Sequence, residues 1–432
     1  MTAEELAPSR RAALAADRVP RDVARWASSR RLTPVTMAAF SVAFVVIAGV
    51  WLVRGSARDE AIALAPLLIS YVVSRAGDLM STQWVSPATE WGRAGCAALS
   101  EFVLYAGIAG GASLTAAARA SDGLTGPAGS RLSGTSLAKI GAPGWEGVWR
   151  LAVAAMIVLA LCQMAVLCRS TPGQVARPGG FGEFAGTPGG GRLLLVGGML
   201  LIAGARLTFL LLFTLGILGL LAIFAARPRE ARPRVLGYRG DGPAAVWIGR
   251  FVDGRLPPLP AVIVGLLVTG MLAALGLQSL PGILVLTPVE AMLLASLATW
   301  HPHYGPRDWM VPPLLQAGEY WFLAALGFAR HVPPTATFAL VAAIALYHLD
   351  LAYRARNELV PSDDGPFVRE EGQLSYSDRA GFGWDGRMIV CGLAAVAGIA
   401  SMIYPLLALY LAGLMGRDWL AGWSAGHAAV DS

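Results

Sequence analysis

Charge is what this chain has least of. Only 14% of its 432 residues are Asp, Glu, Lys or Arg, against about 25% in an average soluble domain. A water-facing surface cannot be built around so large a core from so few charges. Cysteine is scarce too: Cys96, Cys162, Cys168 and Cys391 are the four, all in apolar stretches and none in a CxxC pair. That excludes a secreted disulfide scaffold and a cysteine-rich zinc site, and leaves them as small buried hydrophobes. Lysine is nearly absent, Lys139 being the single one among 34 basic residues. The glycine-rich stretch 178–191 lacks the Gly-Lys-Ser/Thr of a phosphate-binding loop and reads as a linker.

What is abundant is apolar sequence. Hydrophobic residues make up 55% of the chain, and the mean hydropathy is +0.57. The fold class expected is all-α, a polytopic integral membrane protein. A bilayer core of roughly 30 Å takes about 20 apolar residues per helix. On that ruler spans fall near 35–53, 61–75, 95–116, 150–168, 192–205, 207–226, 258–278, 281–299, 310–330, 333–353, 387–401 and 403–416. The stretches 192–226 and 387–416 read either as two short helices joined at a tight turn (Gly204-Ala205-Arg206, or Ser401 to Pro405) or as one long tilted helix.

The net charge of +6 is carried by arginines outside the spans. They cluster in residues 1–34, with Arg10, Arg11, Arg18, Arg21, Arg25, Arg30 and Arg31, and in 227–257, with Arg227, Arg229, Arg232, Arg234, Arg239, Arg250 and Arg255. Residues 1–34 are polar where a cleavable signal peptide would be apolar. By the positive-inside rule both clusters face the cytoplasm, an even number of spans lies between them, and both termini are cytoplasmic in the plasma membrane. The same rule accounts for the basic balance without nucleic acid as a partner.

The two halves repeat each other. Glu90-Trp91 precedes Glu101-Phe102 at the spacing by which Asp308-Trp309 precedes Glu319-Tyr320. Arg-Leu-x-Pro stands before the first span of each half, at Arg31 to Pro34 and Arg255 to Pro258. Each half closes with a double apolar run started by an arginine, Arg192 or Arg387. The expectation is two tandem six-helix units, about twelve helices in all. The domains are a basic interfacial segment 1–34, a first unit 35–226, a basic linker 227–257, a second unit 258–416 and a tail 417–432. Parallel repeats leave a site in one or both halves or between them.

Arg30-Arg31-Leu32-Thr33-Pro34-Val35-Thr36, entering the first span, resembles the amino-terminal signature of the CDP-alcohol phosphatidyltransferase family. The second half resembles a domain fused behind such transferases in bacteria. That likeness rests on His301-Pro302-His303-Tyr304-Gly305, Asp308-Trp309, Glu319-Tyr320, Tyr347-His348-Leu349-Asp350 with Tyr353-Arg354, and Gly383-Trp384-Asp385-Gly386-Arg387. The resemblance implies six helices around a cytoplasm-facing cavity, divalent metal (Mg or Mn) held by aspartates, and a phosphotransferase acting on a CDP- or lipid-linked donor. It also implies a homodimer, or a monomer whose duplication supplies an internal pseudo-dimer. The family's motif, D-x2-D-G-x2-A-R-x8-G-x3-D-x3-D, is broken here. Arg93 and Ala97 occupy the last two aspartate positions, Ser74 and Gly77 the first two with Asp78 displaced by one, and Val311 and Leu315 the last two in the second half. Arg, Ala, Val and Leu supply none of the oxygens that two divalent ions need.

Polar residues left inside spans are therefore the functional candidates. Glu101 and Glu319 lie at equivalent places in the repeat, and Glu290 follows Pro288. The catalytic candidates are His301, His303, Asp308, Glu319, His348 and Asp350, converging on the cytoplasmic mouth of the second half, with Arg307 and Arg354 to bind substrate. His348 and Asp350, two apart on one helix, diverge by about 200°, whereas Asp350 and Arg354 are an i, i+4 pair able to bridge each other. The alternative for all of these is a solvated loop plus ion-paired helix ends. Three functions stay open: a divergent transferase with its site moved into the second half, a lipid-binding pseudoenzyme partnering an active transferase or nucleotidyltransferase, and a transporter of parallel repeats. Membrane lipids are partners in each.

Overall fold

The computed structural model describes residues 18–81, 87–121, 145–169, 189–225, 242–252, 256–278, 282–298, 307–357 and 380–428. Among them every regular element is helical. In chain order the helices are α1 (Arg18–Ser29), α2 (Pro34–Val53), α3 (Ala57–Ser81), α4 (Pro87–Ser121), α5 (Trp145–Arg169), α6 (Gly190–Ala225), α7 (Pro243–Val252), α8 (Pro258–Gln278), α9 (Ile283–Ser296), α10 (Val311–Ala329), α11 (Pro334–Asn357), α12 (Gly383–Val396) and α13 (Ala400–Ala428). A 3-10 turn, Asp308–Met310, leads into α10.

Eight of these helices are long and apolar enough to cross a membrane: α2, α3, α4, α5, α6, α8, α11 and α13. The protein is an all-helical membrane protein. At 1.5 Å per residue, α9 and α12, 14 residues each, fall short of the ~30 Å apolar layer.

The described residues form two compact units. One draws on Met1–Val148 and Pro188–Thr208, the other on Trp149–Thr187 and Phe209–Ser432. In the first, α1 docks on α3 through Ala24, Ala27, Ala76 and Met80, with Met37 of α2 in the same cluster. Thr33 caps α2 by accepting a hydrogen bond from the Thr36 amide, and Pro34 occupies its first turn. Helices α2 and α3 are joined by Ser41 and Ser70, whose hydroxyls lie 2.7 Å apart. Helices α2 and α4 meet backbone to backbone at glycines: a Cβ on Gly107 would stand 2.9 Å from the Gly49 Cα. Small residues at such crossings are how apolar helices attract without a hydrophobic driving force.

In the second unit, Cys162, Ala165 and Val166 of α5 pack against Ile223 and Trp309. The Cys162 thiol donates to the Gly216 carbonyl at 3.3 Å. All four cysteines are free, Cys96, Cys162 and Cys391 buried and Cys168 half-buried. Asp385, just inside α12, caps α7: its Oδ2 accepts from the Ala244 and Ala245 amides at 2.9 and 3.0 Å.

The two ambiguous apolar stretches are each broken by one glycine of positive φ. Gly204 (φ 71°, ψ 169°) interrupts α6. Gly398 (φ 75°) separates α12 from α13. The break in the second stretch thus precedes Ser401, and Pro405 lies inside α13. Proline removes a hydrogen-bond donor without forcing a reversal, whereas only glycine enters the region Gly204 occupies at low cost. Nothing lies within 4 Å of a Cβ built on Gly204, so substitution there tests the backbone alone. Gly204→Ala is expected to cost about 1–3 kcal/mol, read as a lower Tm in detergent. Gly413→Ala in helical α13, where a Cβ also meets nothing, is expected to be neutral or stabilising by up to ~1 kcal/mol.

Candidate functional site

Two buried carboxylates anchor the polar interior, one in each unit. In the first, Glu101 of α4 faces Arg192 in the opening turn of α6, and both are almost fully buried. Arg192 Nε donates to Glu101 Oε1 at 2.6 Å, and its Nη2 donates to Oε2. The Gly189 amide donates to the same carboxylate.

In the second unit, Glu319 of α10 faces Arg387 of α12 in the same atomic register. Arg387 Nε donates to Oε1 at 2.6 Å and Nη2 to Oε2 at 3.0 Å. Nη1 donates to the Gly381 carbonyl at 2.8 Å. His348 of α11 adds a third member, its Nε2 lying 2.8 Å from Glu319 Oε2. A carboxylate only accepts, so Nε2 donates to Glu319, whose charge is balanced by Arg387. Guanidinium and imidazole converge on one oxygen, which brings Arg387 Nη2 to 2.9 Å from His348 Nε2. Tyr320 and Tyr347 pack edge-on against the imidazole, at centroid distances of 5.9 and 6.4 Å. The Arg387 guanidinium lies 5.5 Å above the Tyr347 ring. With Glu319, His348 and Arg387 exposed by no more than 3%, this triad is sealed from solvent.

Asp350, on the other side of α11, takes different partners. It pairs with Arg354 four residues on, and Arg354 reaches across to Asp418 of α13 at 2.8 Å. The structure therefore brings Glu319 and His348 together and places Asp350 and Arg354 in a separate cluster. Asp308 is buried in its 3-10 turn, and Arg307 beside it is exposed. His301 and His303 lie outside the described residues. Among the described residues no group of three or more His, Cys, Asp or Glu side chains is placed to hold a metal ion.

At the broken motif of the first half, Arg93 is ion-paired with Asp78. The guanidinium sits on the Asp78 carboxylate, near the position where the family resemblance would put metal-binding aspartates. A cation is thereby supplied by the chain itself.

One cleft opens beside the triad. Its cavity volume is only about 20 Å³, and Gly265, Leu266, Thr269, Leu315, Gly318, Glu319 and Trp384 are among its lining residues. Thr269 donates to Glu290 Oε2 at 3.0 Å, while Glu290 Oε1 and Trp384 Nε1 have no hydrogen-bond partner among the described residues. The walls are otherwise apolar, small at Ala261, Gly265 and Gly318 and larger at Leu266, Leu315 and Met388. Arg192, Arg387 and Asp418 were not among the site candidates drawn from sequence. The signal for the two arginines was present, since each starts a double apolar run in its half; Asp418 lies in the carboxy-terminal tail and carried none.

A buried charge stripped of its partner costs about 3–5 kcal/mol. Glu319→Ala and Arg192→Met are each expected to lose that much, seen as failure to purify as a monodisperse species or a large drop in Tm. His348→Ala leaves the Glu319–Arg387 pair intact and is expected to cost only about 1–2 kcal/mol. The double variant Glu101→Leu/Arg192→Met should recover part of the loss of either single change, since no charge is then left unpaired.

Residues 231–429 match a family of unknown function (DUF5941), a stretch that takes in α7 to α13. No curated protein and no solved structure matches the chain.

Proposed function

We propose that this protein is a lipid-binding membrane protein of the CDP-alcohol phosphatidyltransferase type that has given up the family's metal chemistry. The observation that carries this reading is the fate of the acidic candidates. Glu101, Glu319, Asp350 and Asp78 each hold an arginine. A carboxylate already paired with a guanidinium is a poor ligand for Mg²⁺ or Mn²⁺, which would have to displace it, most of all at the buried Glu101 and Glu319. The cleft beside Glu319, with mostly apolar walls and the unpaired Trp384 Nε1 on its lining, offers a notch for a segment of acyl chain with a polar group beside it.

In the same proposal the chain is a tandem duplication, about twelve helices in two six-helix repeats with both termini cytoplasmic in the plasma membrane. The matched Glu101–Arg192 and Glu319–Arg387 pairs support this, because each couples the same repeat-equivalent residues through the same atoms. So do the positive-φ glycines, 12 residues after Arg192 and 11 after Arg387. Its partner would be an active transferase or nucleotidyltransferase, to which it presents or for which it holds a lipid.

The test combines native mass spectrometry of the purified protein with a turnover assay on a CDP-linked lipid and Mg²⁺ or Mn²⁺. Co-purifying lipid and no metal-dependent release of CMP are expected. Gly265→Leu is a cleft-filling change whose Cβ would meet only Leu294, at 3.6 Å. It should deplete the bound lipid while leaving the protein monodisperse. Metal-dependent CMP release would overturn the proposal in favour of a divergent enzyme. Counterflow of a solute in liposomes would favour a transporter.

A further inference from the structure

Helix α1 divides its surface among three environments. At 100° per residue, Pro20, Ala24 and Ala27 share one side and are the residues buried in its packing. Val19 and Trp26 share a second side and are 59% and 56% exposed. Arg18, Arg21 and Arg25 lie within an arc of about 60° on the third, all exposed. The three sides are separated by about 120° each. This is the partition expected of a helix lying in the plane of a membrane surface, with protein on one side, acyl chains on another and headgroups on the third. The helix is not free to roll. Its packing against α3 and Met37 holds one face. Its last turn is closed onto the short linker before α2 by bonds from the Arg30 amide to the Trp26 carbonyl (3.2 Å) and from the Leu32 amide to the Ala27 carbonyl (3.0 Å), around Arg31 at φ 56°.

We infer that the arginine face of α1 is a binding site for the phosphate of anionic phospholipid headgroups. Arg18, Arg21 and Arg25 line an open groove with Asp22 and Ser28, together with Leu79 and Met80 from the last turn of α3. Arg25 pairs with Asp22, whereas Arg18 and Arg21 form no ion pair among the described residues. A guanidinium offers a planar pair of donors that matches two phosphate oxygens, and the Ser28 hydroxyl adds a neutral donor. Trp26, on the adjacent face, is the residue type that settles at the headgroup boundary. It holds the groove at phosphate depth, which selects a headgroup over a free phosphate ion. The site needs only that the chain spans a membrane; it does not depend on what the cleft beside Glu319 holds.

Full-length protein exchanged into equimolar phosphatidylglycerol and phosphatidylcholine, and read by native mass spectrometry, tests this. Wild type is expected to retain the anionic lipid in roughly 25-fold excess, at about fivefold per unscreened arginine less the offset from Asp22, and the excess should shrink with salt. Arg18→Gln/Arg21→Gln/Arg25→Gln should bring the ratio close to parity. The corresponding triple lysine variant should keep much of the excess, and Arg250→Gln, on exposed α7, should leave it unchanged. Undiminished excess in the triple glutamine variant overturns the site, as does an equal loss in Arg250→Gln. Displacement of the lipid by millimolar glycerol phosphate overturns it too, by pointing to a soluble phosphate ester. If the triple variant fails to fold, Arg18→Gln and Arg21→Gln singly should each reduce the excess several-fold, and no reduction in either overturns the site. Gly265→Leu, which tests the cleft, should leave the ratio intact.

Discussion

A carboxylate inside an apolar bundle must find a cation, and the structure is organised around two places where this happens. Glu101 with Arg192, and Glu319 with Arg387, each make a two-point contact between a helix in the middle of a unit and the first turns of a later one. The partners are 91 and 68 residues apart in the chain. Taking either charge from water without the other is prohibitive, so forming one helix's site commits the position of the other helix. The arginine is the tether that brings the late helix back onto the early one.

The breaks follow from that tether. An arginine near the start of a long apolar run is held at a fixed depth, and the run is longer than one bilayer crossing can absorb at that depth. Gly204 and Gly398, both of positive φ, let the chain turn within 12 residues of the tethered arginine. Where a close approach is needed instead, as between Gly49 and Gly107, glycine serves by having no side chain. Packing here therefore depends on small residues placed relative to a few charges, because hydrophobic burial between helices has little force when the surroundings are equally apolar.

The same charges set the partners of the residues that look catalytic. Glu319 and His348 meet, but around a guanidinium that uses both carboxylate oxygens. Asp350 has its own arginine and a second carboxylate beyond it, Asp418. Asp78, beside a motif position where the family resemblance would put a metal ligand, is met by Arg93.

Sequence alone determined the class of this protein, since a chain with 14% charged residues and long apolar runs has no other way to fold than as membrane helices. It also determined which carboxylates matter, because Glu101 and Glu319 stand out against an apolar background at matching places. Local geometry offered one pairing in advance, Asp350 with Arg354, alongside their reading as site residues, and kept His348 and Asp350 off a common face, both consequences of the helical period. Tertiary structure decided the rest. Whether His348 or Asp350 joins Glu319 depends on how α11 is rotated against α10. That Arg192 and Arg387 are the counter-charges depends on contacts across dozens of residues. That the later break falls at Gly398 and not near Pro405 depends on where the tethered helix must turn. Periodicity fixes the faces of a helix, but which faces meet is set only when buried charges find their partners.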